Sequence, residues 1–170
     1  MIAPEKQLDF PAIVTDAGDA IAFRRCGLAL TLPKTFRYTA GHYWLAKVAE
    51  PDTWRIGFTA FAVRMLGDFV EFRLEPQAGE QIHLGQIIGN YEGLKAVTDV
   101  FSIVEGVFVR GNPALVTDGD LTRSDPHGAG WLCEVRGVPD PDSLDVHGYL
   151  TLHNATLDRL RGRQRLPIED

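Results

Sequence analysis

Two runs rich in β-forming residues flank the stretch Gly89-Asn90-Tyr91-Glu92-Gly93-Leu94-Lys95-Ala96-Val97-Thr98-Asp99. Ile82 to Gly89 carries apolar residues with turn formers at its ends, and Val97 to Phe108 is dense in Val, Ile and Phe. Both read as strands. Glu92-Gly93-Leu94-Lys95 falls where a hairpin would turn, and Gly93 can take φ > 0 there without steric cost. The chain has four lysines, and Lys95 is the one inside this β pattern. A hairpin turn holds such an amine in solvent on a flexible stem, a geometry suited to acylation by another enzyme. On spacing alone the ordinary reading is a plain solvated turn lysine, as most surface lysines are.

The rest of the chain is also strand-rich. Tyr43 to Val48 and Thr53 to Phe58 read as a hairpin across the turn Glu50-Pro51-Asp52. Thr59 is a good N-cap, Ala60 to Leu66 a short helix, and Gly67 its stop. Phe69 to Leu74 alternates, with Glu71 and Arg73 outward. Asn112-Pro113 begins a loop or short helix, and Thr117 to Asp120 is loop. Trp131 to Arg136 reads as a strand into the core, and Pro139 to Ser143 as a break. Asp142 or Ser143 could cap a final helix with Leu150, Leu157 and Leu160 as apolar positions. Before Thr35, Ala12-Ile13-Val14 and Ile21-Ala22-Phe23 could be short strands around the turn Asp16 to Asp19.

Length and a 45% hydrophobic content allow one domain with a real core. A net charge of −6 argues against nucleic acid and anionic membrane surfaces. The basic run Arg159 to Arg165 fits a solvated helix end. No apolar run approaches the ~20 residues that span a bilayer. Glu5, Asp9, Asp16 and Asp19 suit neither a secretory signal nor a transit peptide, so a cytoplasmic protein is expected. Cys26 and Cys133 are expected as free thiols, Cys133 as a small buried hydrophobe. Without Cys-x-x-Cys, no zinc site is expected.

Longer motifs sharpen this reading. Tyr38-Thr39-Ala40-Gly41-His42-Tyr43-Trp44, Ile56-Gly57-Phe58-Thr59, Leu66-Gly67-Asp68-Phe69-Val70, Glu92-Gly93-Leu94-Lys95-Ala96, Asn112-Pro113-Ala114-Leu115-Val116 and Asp125-Pro126-His127-Gly128-Ala129-Gly130-Trp131-Leu132 follow one another. In this order they resemble the H-protein of the glycine cleavage system, over roughly Phe36 to Arg161. The resemblance implies a mostly β barrel-sandwich hybrid, the flattened barrel of lipoyl and biotinyl domains, followed by a C-terminal helix. It divides the chain into an N-terminal extension of unknown role, 1–35, and an H-protein-like domain, 36–170.

The resemblance also implies a function. Lys95 would carry lipoate as an amide. Glu92 matches the glutamate read by the attaching enzyme, Gly93 replaces a serine in the turn, and Asp99 matches an acidic position lining the pocket for the loaded arm. The implied role is a non-catalytic carrier that shuttles an aminomethyl group from glycine decarboxylase to the aminomethyltransferase. Dihydrolipoyl dehydrogenase would reoxidise the arm, and a lipoate-attaching enzyme would supply it.

Some residues depart from the family pattern. Its Ser-His-Glu-Trp is Gly41-His42-Tyr43-Trp44 here, which loses a serine and a carboxylate that help hold the loaded amine. Ile103 and Glu105 replace a further proline and serine. These changes keep two alternatives open: a lipoate-bearing carrier in another pathway, such as cytoplasmic sulfur oxidation, and a binding module without lipoate. His42 and His127 are expected to be structural. His147 and His153 do not share a helical face. Cys26 lies in the extension, where a thiol near a lipoyl arm would be of interest.

Overall fold

The computed structural model describes residues 13–163. It begins with three strands, β1 (Ile13–Asp16), β2 (Ala20–Arg25) and β3 (Leu28–Pro33), paired antiparallel in that order. Then follow β4 (Arg37–Tyr38), β5 (Tyr43–Lys47), β6 (Thr53–Phe58), helix α1 (Ala60–Leu66), β7 (Phe69–Leu74), β8 (Gln81–Ile82), β9 (Ile87–Gly93) and β10 (Val97–Phe101). The chain closes with β11 (Val104–Gly111), α2 (Ala114–Thr117), α3 (Leu121–Ser124), β12 (Cys133–Pro139) and the long helix α4 (Val146–Arg163).

Two sheets form a flattened barrel-sandwich, one ordered β10-β9-β7 and the other β4-β5-β6-β12-β11-β8. Their shared core contains Leu45, Ile56, Phe58, Ile88, Tyr91, Val100, Leu132 and Val135. Side chains alternate along a strand, so β5 serves two cores at once. Tyr43 and Leu45 point into the barrel. Trp44 points the other way, into a second core with Phe23, Leu30 and Leu32 of the N-terminal sheet and Tyr149 and Leu150 of α4. Gly57, across from Trp44 on β6, makes room for it: a Cβ there would lie 2.4 Å from the indole.

The β1–β3 sheet is therefore part of the folded unit. Arg25 donates to the Asn154 carbonyl and pairs with Asp158, both on α4. The expected strands flanking the Asp16–Asp19 turn are present as β1 and β2; Ala12 lies outside the described residues. So do Gln164 and Arg165 of the basic run.

Several boundaries differ from expectation. Ile82 to Gly89 is not one strand. It breaks at His83–Gln86, where Gly85 has φ 82 and the Glu105 carboxylate accepts from the Leu84 amide. The run from Val97 likewise breaks at Ser102-Ile103, and its halves join different sheets. Gly85 and Ser102 amides bond across to Ser102 and Gln86 carbonyls, so the two breaks fix each other. Strand β12 runs through Pro139, because its ladder with β11 extends that far. Helix α4 starts at Val146, with Asp145 accepting from the Gly148 amide in place of the expected caps Asp142 and Ser143. Leu144 bridges to Tyr38 instead. Leu150 is buried and Leu157 packs on the second core, but Leu160, in the last turn of α4, is exposed. Thr117, expected as loop, is the last residue of α2, and Ser124, expected in a turn, is the last residue of α3.

Candidate functional site

Helix α1 and the lysine turn are built together. Thr59 caps α1 by accepting from the Ala62 amide, and its hydroxyl also bonds Tyr149. Gly67 ends the helix at φ 83 and ψ −165, a region open essentially to glycine alone. The chain end of α1 then faces the β9–β10 hairpin. Lys95 donates to the Leu66 carbonyl at 2.9 Å, Ala96 to the same oxygen at 3.2 Å, and Leu94 to the Asp68 carbonyl at 2.8 Å. Within the turn, Gly93 donates to Ala96. The Leu66-Gly67-Asp68 motif is thus the cradle of the Lys95 turn.

This cradle corrects one expectation. Gly93 does not adopt positive φ. It is needed for close approach, because a Cβ there would lie 2.1 Å from the Leu66 carbonyl oxygen.

Lys95 is exposed, and Leu94 (74% exposed) and Val97 (65%) stand beside it. Large apolar side chains left in water next to a fixed amine are the kind of surface a partner covers. Glu92 pairs with Val97 on β10 and Glu71 on β7, half-buried. Asp99 pairs with Asn90 and is exposed on the outer face of β10.

Thr98, the inward neighbour of Asp99, lines a cavity of about 350 Å³ with Gly41, His42, Tyr43, Phe58 and Met65. Among the described residues no carboxylate lines it. Tyr43, at the position where the resemblance implies a glutamate, is buried, and its hydroxyl accepts from the Phe101 amide at 3.0 Å. Burial pushes that hydroxyl up to about 12, with a smaller contribution from the Asp99 charge.

Of the expected structural histidines, His42 bonds Tyr149 through Nδ1 and holds φ 65. His153, with neither ring nitrogen partnered, packs edge-on to Phe23 and Phe61. Burial pushes His42, His127 and His153 each down to about 4. The Asp125–Leu132 motif is scaffold. Asn112 donates to the Ala129 and Trp131 carbonyls, Asp125 accepts from the Ala129 amide, and a Cβ on Gly130 would strike the Leu121 carbonyl at 2.2 Å. Glu134, missed as a structural residue, is buried between Arg55 and Arg110, and both guanidiniums lie over Trp131. Cys26 is exposed in the β2–β3 turn, and Cys133 is buried, its thiol pushed up to about 12.

A flattened two-sheet barrel that braces one lysine at a hairpin tip has the form of a carrier domain for a swinging prosthetic group. The model of the glycine cleavage H-protein family matches residues 36–151. The chain is 35% identical to the glycine cleavage system H protein of Corynebacterium jeikeium over 120 residues, 69% of this chain and 94% of that one. It is 39% identical to that of Microcystis aeruginosa over 116 residues, 68% of this chain and 86% of that one. The crystal structure of the Mycobacterium marinum protein superposes with a TM-score of 0.65 at 35% identity, covering 72% of this chain and 99% of that one. The chain belongs to the glycine cleavage H-protein family, a family of lipoyl carriers. The matched residues begin after β3, so the three-stranded N-terminal sheet lies outside the family match. Among the described residues no helix is long and apolar enough to cross a membrane.

Proposed function

We propose that this chain is a non-catalytic lipoyl carrier of the glycine cleavage system, with lipoate joined as an amide to Lys95. The observation that carries the reading is the cradle. Three backbone hydrogen bonds to the Leu66–Asp68 corner fix the turn while the Lys95 amine stays in solvent. A carrier needs that combination, a rigid anchor with a mobile arm. The attached dithiolane would accept the aminomethyl group from glycine decarboxylase and present it to the aminomethyltransferase, with dihydrolipoyl dehydrogenase restoring the disulfide. Glu92, three residues before the lysine, would be the mark read by the attaching enzyme. Asp99 would supply a negative field near the loaded amine. The cytoplasm is the proposed compartment.

The test is the intact mass of the protein from lipoate-fed cells, with Lys95→Ala beside it. A gain of one lipoyl unit, absent from the variant, supports the carrier. An unmodified chain overturns it in favour of a binding module without lipoate.

A second reading has its own support. Among the described residues the cavity beside Tyr43 is lined without a carboxylate, so a cationic amine meets no direct counter-charge from them. That suits a lipoate-bearing carrier of another pathway, such as sulfur oxidation. Glycine-dependent loading by a glycine decarboxylase separates the two. If Asp99→Ala leaves such loading intact, Asp99 has no part in holding the amine.

A further inference from the structure

The larger cavity beside Lys95 lies on the opposite side of α1 from Tyr43. It has a volume of about 550 Å³, and Leu28 and Leu30 of β3, Ala60 and Val63 of α1, and Lys95 itself line it. Without β3 this wall would be missing, and β3 precedes the segment shared with the family. We propose that the N-terminal sheet builds a seat for the lipoyl arm of Lys95, holding the unloaded arm against the protein between encounters with partners. This rests on the reading of Lys95 as the attachment site.

Four observations commit the cavity to that occupant. First, the stem of Lys95 already runs along its wall: a Cβ built on Gly67 would meet Lys95 Cγ at 2.8 Å. Lys95 is itself a lining residue, so an acyl chain on its amine starts beside the cavity. Second, the volume falls within the ~300–1,000 Å³ of sites that enclose small organic groups. Third, the walls match the group. Leu28, Leu30 and Val63 are buried apolar side chains that suit an aliphatic chain and a disulfide ring. Fourth, the charge at the rim selects the unloaded state. Amide formation removes the Lys95 charge, and among the described lining residues Arg64 and Arg123 then face one carboxylate, Asp68, which pairs with Arg123. The neutral arm meets no penalty there, whereas a cationic cargo would be repelled.

Tethering makes weak contact sufficient. A short linker raises the effective concentration to the order of mM, so even a mM affinity seats about half the arms. The seat is held in shape from outside. Arg64 donates to the Gly27 carbonyl, linking α1 to the β2–β3 turn, and Leu28 and Leu30 are anchored in the second core.

The test compares methyl NMR spectra of the full chain, apo and lipoylated, each confirmed by intact mass. Lipoylation is expected to shift the Leu28, Leu30 and Val63 methyls more than those of Ile82 and Val135 in the barrel core. Filling the mouth at two exposed lining positions, Ala29→Trp with Arg64→Trp, is expected to abolish those shifts and to raise the rate of dithiolane reduction by a water-soluble phosphine about twofold, as release of half-seated arms requires. A lipoylated chain whose cavity methyls do not move overturns the seat while leaving the carrier intact. So do shifts at Met65 and Leu66 alone, which line the cavity beside Tyr43, or shifts that persist unchanged in the filled variant. An unmodified Lys95 overturns both.

Discussion

The amide of Lys95 and the carbonyl of Leu66 are joined by a hydrogen bond of 2.9 Å, and the Lys95 stem lies over Gly67. The tip that presents the amine is therefore set by the end of a helix some thirty residues earlier in sequence. Gly67→Ala tests this. Alanine is strained at φ 83, ψ −165, and its methyl would meet the lysine stem. The expected cost is about 1–3 kcal/mol. It should appear as a lower urea midpoint together with a reduced modified fraction at Lys95. Full modification at unchanged stability would show that the corner does not govern the tip.

The N-terminal sheet should be energetically part of the domain. Phe23 on β2 is completely buried and packs against His153 of α4. Phe23→Ala is expected to cost about 3–5 kcal/mol through lost transfer energy and the cavity left behind. Chemical denaturation would register it. A cost below about 1 kcal/mol would mean that the segment merely rests on the barrel.

How far the sequence displayed this design can be read from particular residues. Thr59, Ala60 to Leu66 and Gly67 were legible because caps and stops act over one helical turn. The barrel and the place of Lys95 were legible through ordered motifs. The glycines at 57, 93 and 130 were visible, but their reasons were not, since each answers a neighbour on another element: the Trp44 indole, the Leu66 carbonyl or the Leu121 carbonyl. The breaks at Gly85 and Ser102 were hidden for the same reason, because each is fixed by bonds to the other. The larger cavity had no local signature at all. It exists only once β3 docks beside α1.

Glu134 should matter for stability and not for the lysine. Its carboxylate is buried, which by itself would raise its pKa. The bonds from Arg110 and Arg55 outweigh that and hold it below the usual carboxylate range. Glu134→Gln keeps the shape but turns an amide donor toward a guanidinium. The expected loss is about 1–3 kcal/mol, as for a charged hydrogen-bond network missing one partner. Denaturation midpoints should fall while the modified fraction at Lys95 stays at the wild-type level.

Acid should destabilise the fold before the carboxylates titrate. His42, His127 and His153 are held neutral by burial, each at about 4 against an ordinary value of 6.5. Above 6.5 neither the folded nor the unfolded chain protonates these rings, and the stability they permit is fully present. Between 6.5 and 4 the unfolded chain binds protons that the folded chain refuses, so stability falls as pH falls. Each ring contributes a slope approaching about 1.4 kcal/mol per pH unit in that window. His153→Phe isolates one of the three. Its ring nitrogens are unpartnered among Phe23, Phe61 and Tyr149, so a phenyl group should fit and relieve their desolvation. The variant should be more stable than wild type at pH 7 by about 1 kcal/mol or more. Urea titrations at intervals from pH 7 to 4.5 should also give it a shallower decline. Parallel declines for the two proteins would show that His153 becomes protonated without unfolding.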